Sequence, residues 1–160
     1  MGGKMLAGRR CPLEEAETIG RRVIEALTGV TSRAELAGSV RRRRPEVGDV
    51  DIVIVPTGDI VAALVAAGME EPTGGVQQLH LLVDGVQVDL ALTQADRWGT
   101  AILHWTGSVA FNIACRRQAK RLGGTLSQHG IACADGMRTF TEEGDVLMHL
   151  GMAYRVPGER

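Results

Sequence analysis

Aromatic residues are scarce in this chain of 160 residues, at 3% of the sequence, although hydrophobic residues as a whole reach 44%. The core must therefore be mainly aliphatic, because too few large rings are present to fill it. Glycine is frequent, at 21 residues, which indicates many turns and close backbone approaches. This length and hydrophobic content suit one domain or two closely packed subdomains.

Cysteine is also scarce. The chain has three cysteines and no C-x-x-C pair, which argues against a disulfide framework or a zinc site and favours a reducing, cytoplasmic location. The first ten residues contain no apolar segment of the kind found in secretory signals. No run approaches the roughly 18 apolar residues of a membrane span, so no membrane partner is expected.

The chain lacks a basic excess, since its formal net charge is −1. Its basic residues are instead concentrated in two blocks, residues 41–44 and the set Arg116, Arg117, Lys120 and Arg121. Such blocks are compatible with binding the DNA backbone. The alternative is an ordinary charged surface that faces solvent.

The strand pattern predicts a small mixed β-sheet. Residues 50–55 are rich in β-branched side chains and are predicted to form one strand. Residues 77–83 and 86–92 are predicted to form a hairpin, because the dipeptide Asp84-Gly85 between them suits a tight turn.

The helical pattern completes an α+β fold. Apolar spacing and end signals predict helices over residues 12–27, 59–67, 108–122 and 141–150. Thr141 is expected to cap the last of them. The sheet and its helices are expected to form a first domain over residues 1–95, and a smaller α/β lobe is expected over residues 96–160.

The most informative residues are three aspartates. Asp49 and Asp51 are two apart on a predicted strand, so their side chains share a face and repel one another unless a cation lies between them. Asp89 interrupts the apolar strand 86–92, where an unpartnered carboxylate is costly. If the two strands are neighbours, three carboxylates converge, which is the usual apparatus of two-metal phosphoryl transfer with Mg²⁺.

A Gly-Ser turn supplies the complementary part. Gly38 allows a phosphate to approach the backbone, Ser39 and the free N–H groups of a helix start donate to it, and Arg42 adds a charge-assisted contact. Each motif alone is weak, since a strand D-x-D is equally consistent with a solvated edge or an ion pair. Their spacing, with Ser39 ten residues before Asp49, resembles the signature of the nucleotidyltransferase superfamily.

The segment AGSVRRRRPEVGDVDIVIV resembles the GSxRR…GDxDxL segment of family X DNA polymerases, the group that includes DNA polymerase beta and bacterial enzymes. The resemblance implies that the three aspartates are catalytic and bind two Mg²⁺ ions, which Mn²⁺ can replace. It also implies that the triphosphate of a nucleotide is held by Gly38, Ser39, Arg42 and Gly48, and by Arg10 in the segment RCPLEE.

The second half resembles the same family in its [YF]xTGS…FN…R segment. The resemblance implies nucleotide contacts for five residues: His104, Trp105, Gly107, Ser108 and Asn112. It implies that Arg116 contacts the template strand. Asn112 and Arg116 are i and i+4 on a predicted helix, so one helix face would line a base pair. An ordinary amphipathic helix with a basic outer face is the alternative, which the preceding Thr-Gly-Ser disfavours.

The resemblance runs from about Arg10 to the last residue, where YRVPGER matches the family's C-terminal YRxPxxR, so the chain is expected to be complete there. The resemblance does not include the family's lyase, duplex-binding and nuclease regions, which implies weak DNA affinity and distributive synthesis. Gln87 stands where relatives have an arginine that orients the third aspartate. His80 is interpreted, with His129 and His149, as a surface or packing residue.

The first hypothesis is therefore a monomeric DNA-directed DNA polymerase of DNA repair. It would add dNMP from a dNTP to the primer 3′-hydroxyl of primer–template or gapped DNA, with Asp89 helping to deprotonate that hydroxyl. The second is a template-independent nucleotidyltransferase, either a terminal transferase or an enzyme that modifies a small molecule or protein. The third is a catalytically idle DNA-binding module, which a cluster of three acids disfavours unless they hold metal.

Overall fold

The computed structural model describes residues 7–160 and contains three β-sheets and six α-helices in that range. The strands are β1 (Cys11–Pro12), β2 (Thr31–Leu36), β3 (Glu46–Val47), β4 (Asp49–Pro56), β5 (Thr73–Gly74), β6 (Gln78–Val83), β7 (Val86–Leu92), β8 (Thr125–Ser127), β9 (Gly130–Cys133) and β10 (Gly136–Arg138). The helices are α1 (Leu13–Ala26), α2 (Gly38–Arg41), α3 (Ile60–Ala66), α4 (Trp98–Thr106), α5 (Val109–Arg121) and α6 (Glu143–His149). None of these helices is long and apolar enough to cross a membrane. The prediction that the chain has no secretory signal depends partly on residues 1–6, which lie outside the described range.

The main sheet has five strands in the order β2-β4-β7-β6-β5. Strands β4 and β7 are parallel, and the other pairs are antiparallel. This mixed sheet and its helices confirm the predicted α+β fold. The predicted hairpin is also present, with β6 and β7 joined at Asp84-Gly85.

Strand β4 is covered on both faces, which explains its continuous apolar run. Val50, Ile52 and Ile54 belong to the largest core cluster, which includes residues of α1 and α3. Val53 and Val55 face the opposite way and pack in a second cluster with residues of α4. Because side chains alternate along a strand, Asp49 and Asp51 share the face that carries Val53 and Val55.

Helix α4 was not predicted from the sequence. Trp98, Ala101 and Ile102 pack on the β4 face, whereas Leu103 lies in the core of the C-terminal lobe. A helix that is buried on both sides has no polar face, so its hydrophobic pattern shows no helical period. As a result, α4 contributes side chains both to the sheet's core and to the lobe's core.

The C-terminal lobe combines α5 and α6 with the antiparallel sheet β10-β9-β8. Its core is small and includes Phe111, Cys115 and Leu147. Ser108 caps α5 by accepting a hydrogen bond from the Phe111 N–H at 3.3 Å. The prediction that Thr141 caps the last helix was wrong: Glu142 occupies that position without a side-chain bond, because the helix begins only at Glu143.

Candidate active site

Parallel pairing of β4 and β7 brings the three predicted carboxylates together. The register places Asp51 directly opposite Asp89, and Asp49 lies two residues before Asp51 on the same face. One carboxylate oxygen from each residue lies within 4.8 Å of the other two. The three residues are partly buried, so solvent does not fully screen their mutual repulsion.

The burial of this cluster changes its proton affinity. Burial, followed by the charges of Asp49 and Asp89, raises the pKa of Asp51 to about 8. Burial and the charge of Asp89 also raise the pKa of Asp49. A divalent cation would relieve both effects, and three convergent carboxylate oxygens are the hard ligands that Mg²⁺ and Mn²⁺ accept. The residues present therefore fit a metal site.

Metal-free protein is expected to lose stability as the pH rises from about 4 to about 8. In this window the folded state keeps a proton on Asp51 that the unfolded chain has already released, because the folded pKa of about 8 is the higher of the two. The proton therefore favours the folded state, and its loss disfavours it. Urea unfolding in EDTA at several pH values measures the slope, and Asp51→Asn should flatten it. Equal slopes in both proteins would contradict the burial of this carboxylate.

Two further side chains contact Asp89. The His80 Nδ1 lies 2.7 Å from the Asp89 Oδ1, and the Gln87 Nε2 donates to both Asp89 oxygens, at 2.9 and 3.0 Å. His80 was interpreted as a surface or packing residue. Its side chain is only 17% exposed, so it is not a surface residue, and it contacts the cluster through Asp89. The sequence carried a usable signal, because counting outward from the turn at Asp84-Gly85 places His80 opposite Asp89.

The Gly-Ser segment lies directly against the carboxylates. Gly38 has a φ of +55°, and a Cβ at this position would lie 1.9 Å from the Asp51 Oδ2. The N–H of Ala37 donates to the carbonyl of Asp51 at 2.8 Å, which fixes the segment on β4. Ser39, in the first turn of α2, follows immediately. Only glycine leaves room for the Asp51 carboxylate here, so the close approach of this segment to Asp51 depends on Gly38.

Arg42 connects this segment to the Thr-Gly-Ser turn of the second half. Its NH1 donates to the Thr106 carbonyl at 2.5 Å and lies 3.0 Å from where a Gly107 Cβ would be. Gly107 has a φ of +69°, and its peptide bond to Ser108 is cis. The structure thus brings Arg42, Gly107 and Ser108 together, although they are distant in sequence.

Arg10 and Gly48 lie at the edge of the site. The Arg10 guanidinium is exposed and pairs with Glu46, with 2.7 Å between Nε and Oε1. Its NH1 is 3.4 Å from where a Gly48 Cβ would be, and its charge acts on the carboxylate of Asp49. Arg10 is therefore close to the cluster, but a partner already holds it.

The predicted base-pair residues form a separate cluster in the lobe. Asn112 donates to the His104 carbonyl at 2.8 Å, and the Arg116 NH2 lies 3.3 Å from the His104 Nδ1. Burial, with smaller effects of Arg116 and His129, lowers the pKa of His104, so its neutral ring accepts this bond. The Trp105 indole turns away and donates to Gln128 at 2.8 Å. Asn112, Arg116 and His104 are thus brought together, and Trp105 has a different partner.

Comparison with known proteins finds similarity to DNA polymerases. A family model described as DNA polymerase beta thumb matches residues 101–160. The DNA polymerase/3′-5′ exonuclease PolX of Bacillus subtilis (strain 168) is 28% identical over 156 residues, which cover 89% of this chain and 27% of that protein. Both matches are to DNA polymerases, and they support the resemblance of this chain to DNA polymerase family X. The chain spans about a quarter of the length of this bacterial family X relative.

Two further family X proteins resemble the chain. Repair DNA polymerase X of African swine fever virus (isolate Tick/South Africa/Pretoriuskop Pr4/1996) is 26% identical over 136 residues, 77% of this chain and 78% of the viral protein. Leishmania infantum polymerase beta, solved as a ternary P/T complex, has a TM-score of 0.77 at 21% identity, covering 96% of this chain and 77% of that one. The ternary gap complex of the same polymerase has a TM-score of 0.80, and the match covers 95% of this chain and 71% of that one. These structures show that the fold of this chain is that of polymerase beta. Family X polymerases are metal-dependent, and the acidic triad is present here.

Proposed function

We propose that this chain is a nucleotidyltransferase of family X, specifically a DNA-directed DNA polymerase that fills gaps in DNA repair. The observation that carries the proposal is the convergence of Asp49, Asp51 and Asp89 within 4.8 Å. The placement of Gly38 against Asp51 supports it, because a phosphate-binding turn then lies beside the carboxylates. The relatives named repair polymerase and polymerase beta support DNA, as primer–template or gapped duplex, as the partner.

The three aspartates would hold two Mg²⁺ ions, which Mn²⁺ can replace. When bound, the ions lower the pKa of the attacking hydroxyl and neutralise charge on the triphosphate. Asp89 accepts the proton of the primer 3′-hydroxyl. The 3′-oxygen forms a bond to the α-phosphorus of the dNTP, the bond to the bridging oxygen breaks, and pyrophosphate leaves.

The nucleotide would lie between the Gly-Ser segment and the lobe. Gly38 and Ser39 contact its phosphates. Arg42 and Arg10 add hydrogen-bond donors, and Gly48 leaves space because it has no side chain. Gly107 and Ser108 would contact the sugar, because the bond from Arg42 to the Thr106 carbonyl holds the Thr-Gly-Ser turn near the phosphate segment.

The lobe would read the nascent base pair. Asn112 contacts the incoming base, Arg116 contacts the template, and His104 and Trp105 contact the nucleotide. The bonds of Asn112 and Arg116 to His104 support this grouping, because they hold both side chains on one helix face. We assign residues 1–95 to a nucleotidyltransferase palm, the domain that carries the three aspartates, and residues 96–160 to this lobe. Distributive synthesis, the monomeric state and the cytoplasmic location stay predictions.

Primer extension on a one-nucleotide-gapped duplex with Mg²⁺ tests the proposal. Each deoxynucleotide is offered singly, and only the complementary one should be added. Asp51→Ala and Asp89→Ala should be inactive, since each removes a carboxylate of the cluster. Asp96→Ala, which removes an exposed acid outside the cluster, is the matched control and should retain activity.

Two outcomes would redirect the assignment. Addition that ignores the template would favour the template-independent nucleotidyltransferase, which shares the same Gly-Ser and carboxylate core. Activity that survives in both Asp51→Ala and Asp89→Ala would place the chemistry elsewhere and reject the proposed site.

A further inference from the structure

Asp89 is closely held by neighbouring side chains. His80 contacts only Oδ1, at 2.7 Å, whereas the Gln87 amide contacts both oxygens at nearly equal distances, 2.9 and 3.0 Å. The side chains of His80 and Asp89 are only 17% and 14% exposed. The Gln87 amide donates almost equally to both Asp89 oxygens, so only the contact with the His80 imidazole makes the two oxygens different.

The position of His80 is determined by the sheet. It lies on β6 directly opposite Asp89 on β7, and side chains of opposed residues share a face. On its other side His80 pairs with Thr73 of β5, whose hydroxyl donates to the His80 carbonyl at 3.4 Å. The imidazole is therefore held on an interior strand rather than on a loop.

We propose that His80 is a positioning residue of the metal site, which orients the Asp89 carboxylate for divalent cation binding. This inference rests on the proposed function, since it takes the triad to be the metal site. By donating from Nδ1 to Oδ1, His80 fixes the rotation of the carboxylate. Oδ1 then has two donors and Oδ2 only the Gln87 amide, so Oδ2 keeps more lone-pair capacity for a cation. Hydrogen-bond partners of this kind tune metal affinity by orienting the ligand.

The test measures Mn²⁺ binding to the full chain without DNA or nucleotide, from the electron paramagnetic resonance signal of free Mn²⁺. His80→Leu keeps the bulk but removes the donor, and we expect Mn²⁺ affinity to fall about tenfold or more. His80→Asn should restore most of it, because its Nδ2 is as many bonds from Cβ as the histidine Nδ1. Raising Mn²⁺ should return primer extension by His80→Leu toward wild type, with the KM for dNTP unchanged at saturating metal.

The controls separate this role from a purely structural one. His149→Leu, in the lobe beside Phe140, should not change Mn²⁺ affinity. Wild-type affinity in His80→Leu, with binding lost in Asp89→Ala, would overturn the positioning role and leave the metal site in place. Wild-type binding by Asp89→Ala would overturn both. Failure of His80→Asn to restore affinity would also reject the role of the donor. If His80→Leu does not fold, His80→Ala replaces it in the same comparison.

Discussion

Replacing Gly38 with alanine is expected to reduce primer extension by about 100-fold or more, since misplacing reacting groups by about 1 Å has effects of that size. The new Cβ would lie 1.9 Å from the Asp51 Oδ2, so either the carboxylate or the start of α2 must move. Either movement separates the phosphate-binding turn from the triad. Extension assays and Mn²⁺ affinity should both report the loss.

Gly68→Ala is the matched control for this change. Gly68 also has a positive φ, of +80°, but a Cβ there meets no atom within 4 Å. Its replacement should cost about 1–2 kcal/mol of unfolding free energy through backbone strain alone and leave extension unchanged. If Gly38→Ala behaved like Gly68→Ala in both assays, the close packing of the turn on Asp51 would be refuted.

Glu143→Ala is expected to lower the free energy of unfolding by about 3–5 kcal/mol. Glu143 is buried and bridges two arginines: Arg160 NH1 lies 2.5 Å from its Oε1, and Arg41 donates to both oxygens at 3.1 Å. Burial by itself would raise the pKa of Glu143, but the hydrogen bonds from Arg160 and Arg41 outweigh burial and lower it. Removing the carboxylate leaves the fully buried Arg160 side chain without its counter-charge.

Glu142→Ala provides the comparison for this second change. Glu142 pairs with Arg33 at 2.9 Å, but its side chain is 58% exposed, and such pairs contribute about 0–1 kcal/mol. Urea unfolding at neutral pH should therefore separate the two variants clearly. Extension should also fall in Glu143→Ala, because Arg41 additionally donates to Thr106, beside the Thr-Gly-Ser turn. Similar losses of stability in both variants would contradict the importance of the buried cluster.

The chemistry of the triad was readable from the sequence because it depends on local periodicity. Two aspartates spaced two apart on a β-branched segment must share a face, and an aspartate in an apolar strand needs a partner. The sequence therefore predicted the metal-binding residue types and the Gly-Ser turn beside them. The convergence of the three aspartates could be predicted only on the condition that β4 and β7 are neighbours, and no local pattern in the sequence requires that pairing.

Sequence analysis missed two kinds of feature. In one, burial on both sides removes the hydrophobic period; in the other, the contacts join segments that are distant in the sequence. Helix α4 is apolar on both faces, so it carries no helical period to detect. Glu143 follows the predicted cap Thr141 as an ordinary first-turn acid, and its burial between Arg41 and Arg160 depends on how the lobe packs on α2.

By itself, the sequence determined strands β4, β6 and β7, the hairpin and the residue types that suit metal and phosphate, because side-chain alternation and turn chemistry act over a few residues. Tertiary structure decided what these residues do to one another. Parallel pairing of β4 with β7 makes three acids one site, and burial there raises the pKa of Asp51 to about 8. The same packing places Gly38 against Asp51 and His80 against Asp89, since only the assembled sheet brings these separate segments within contact distance.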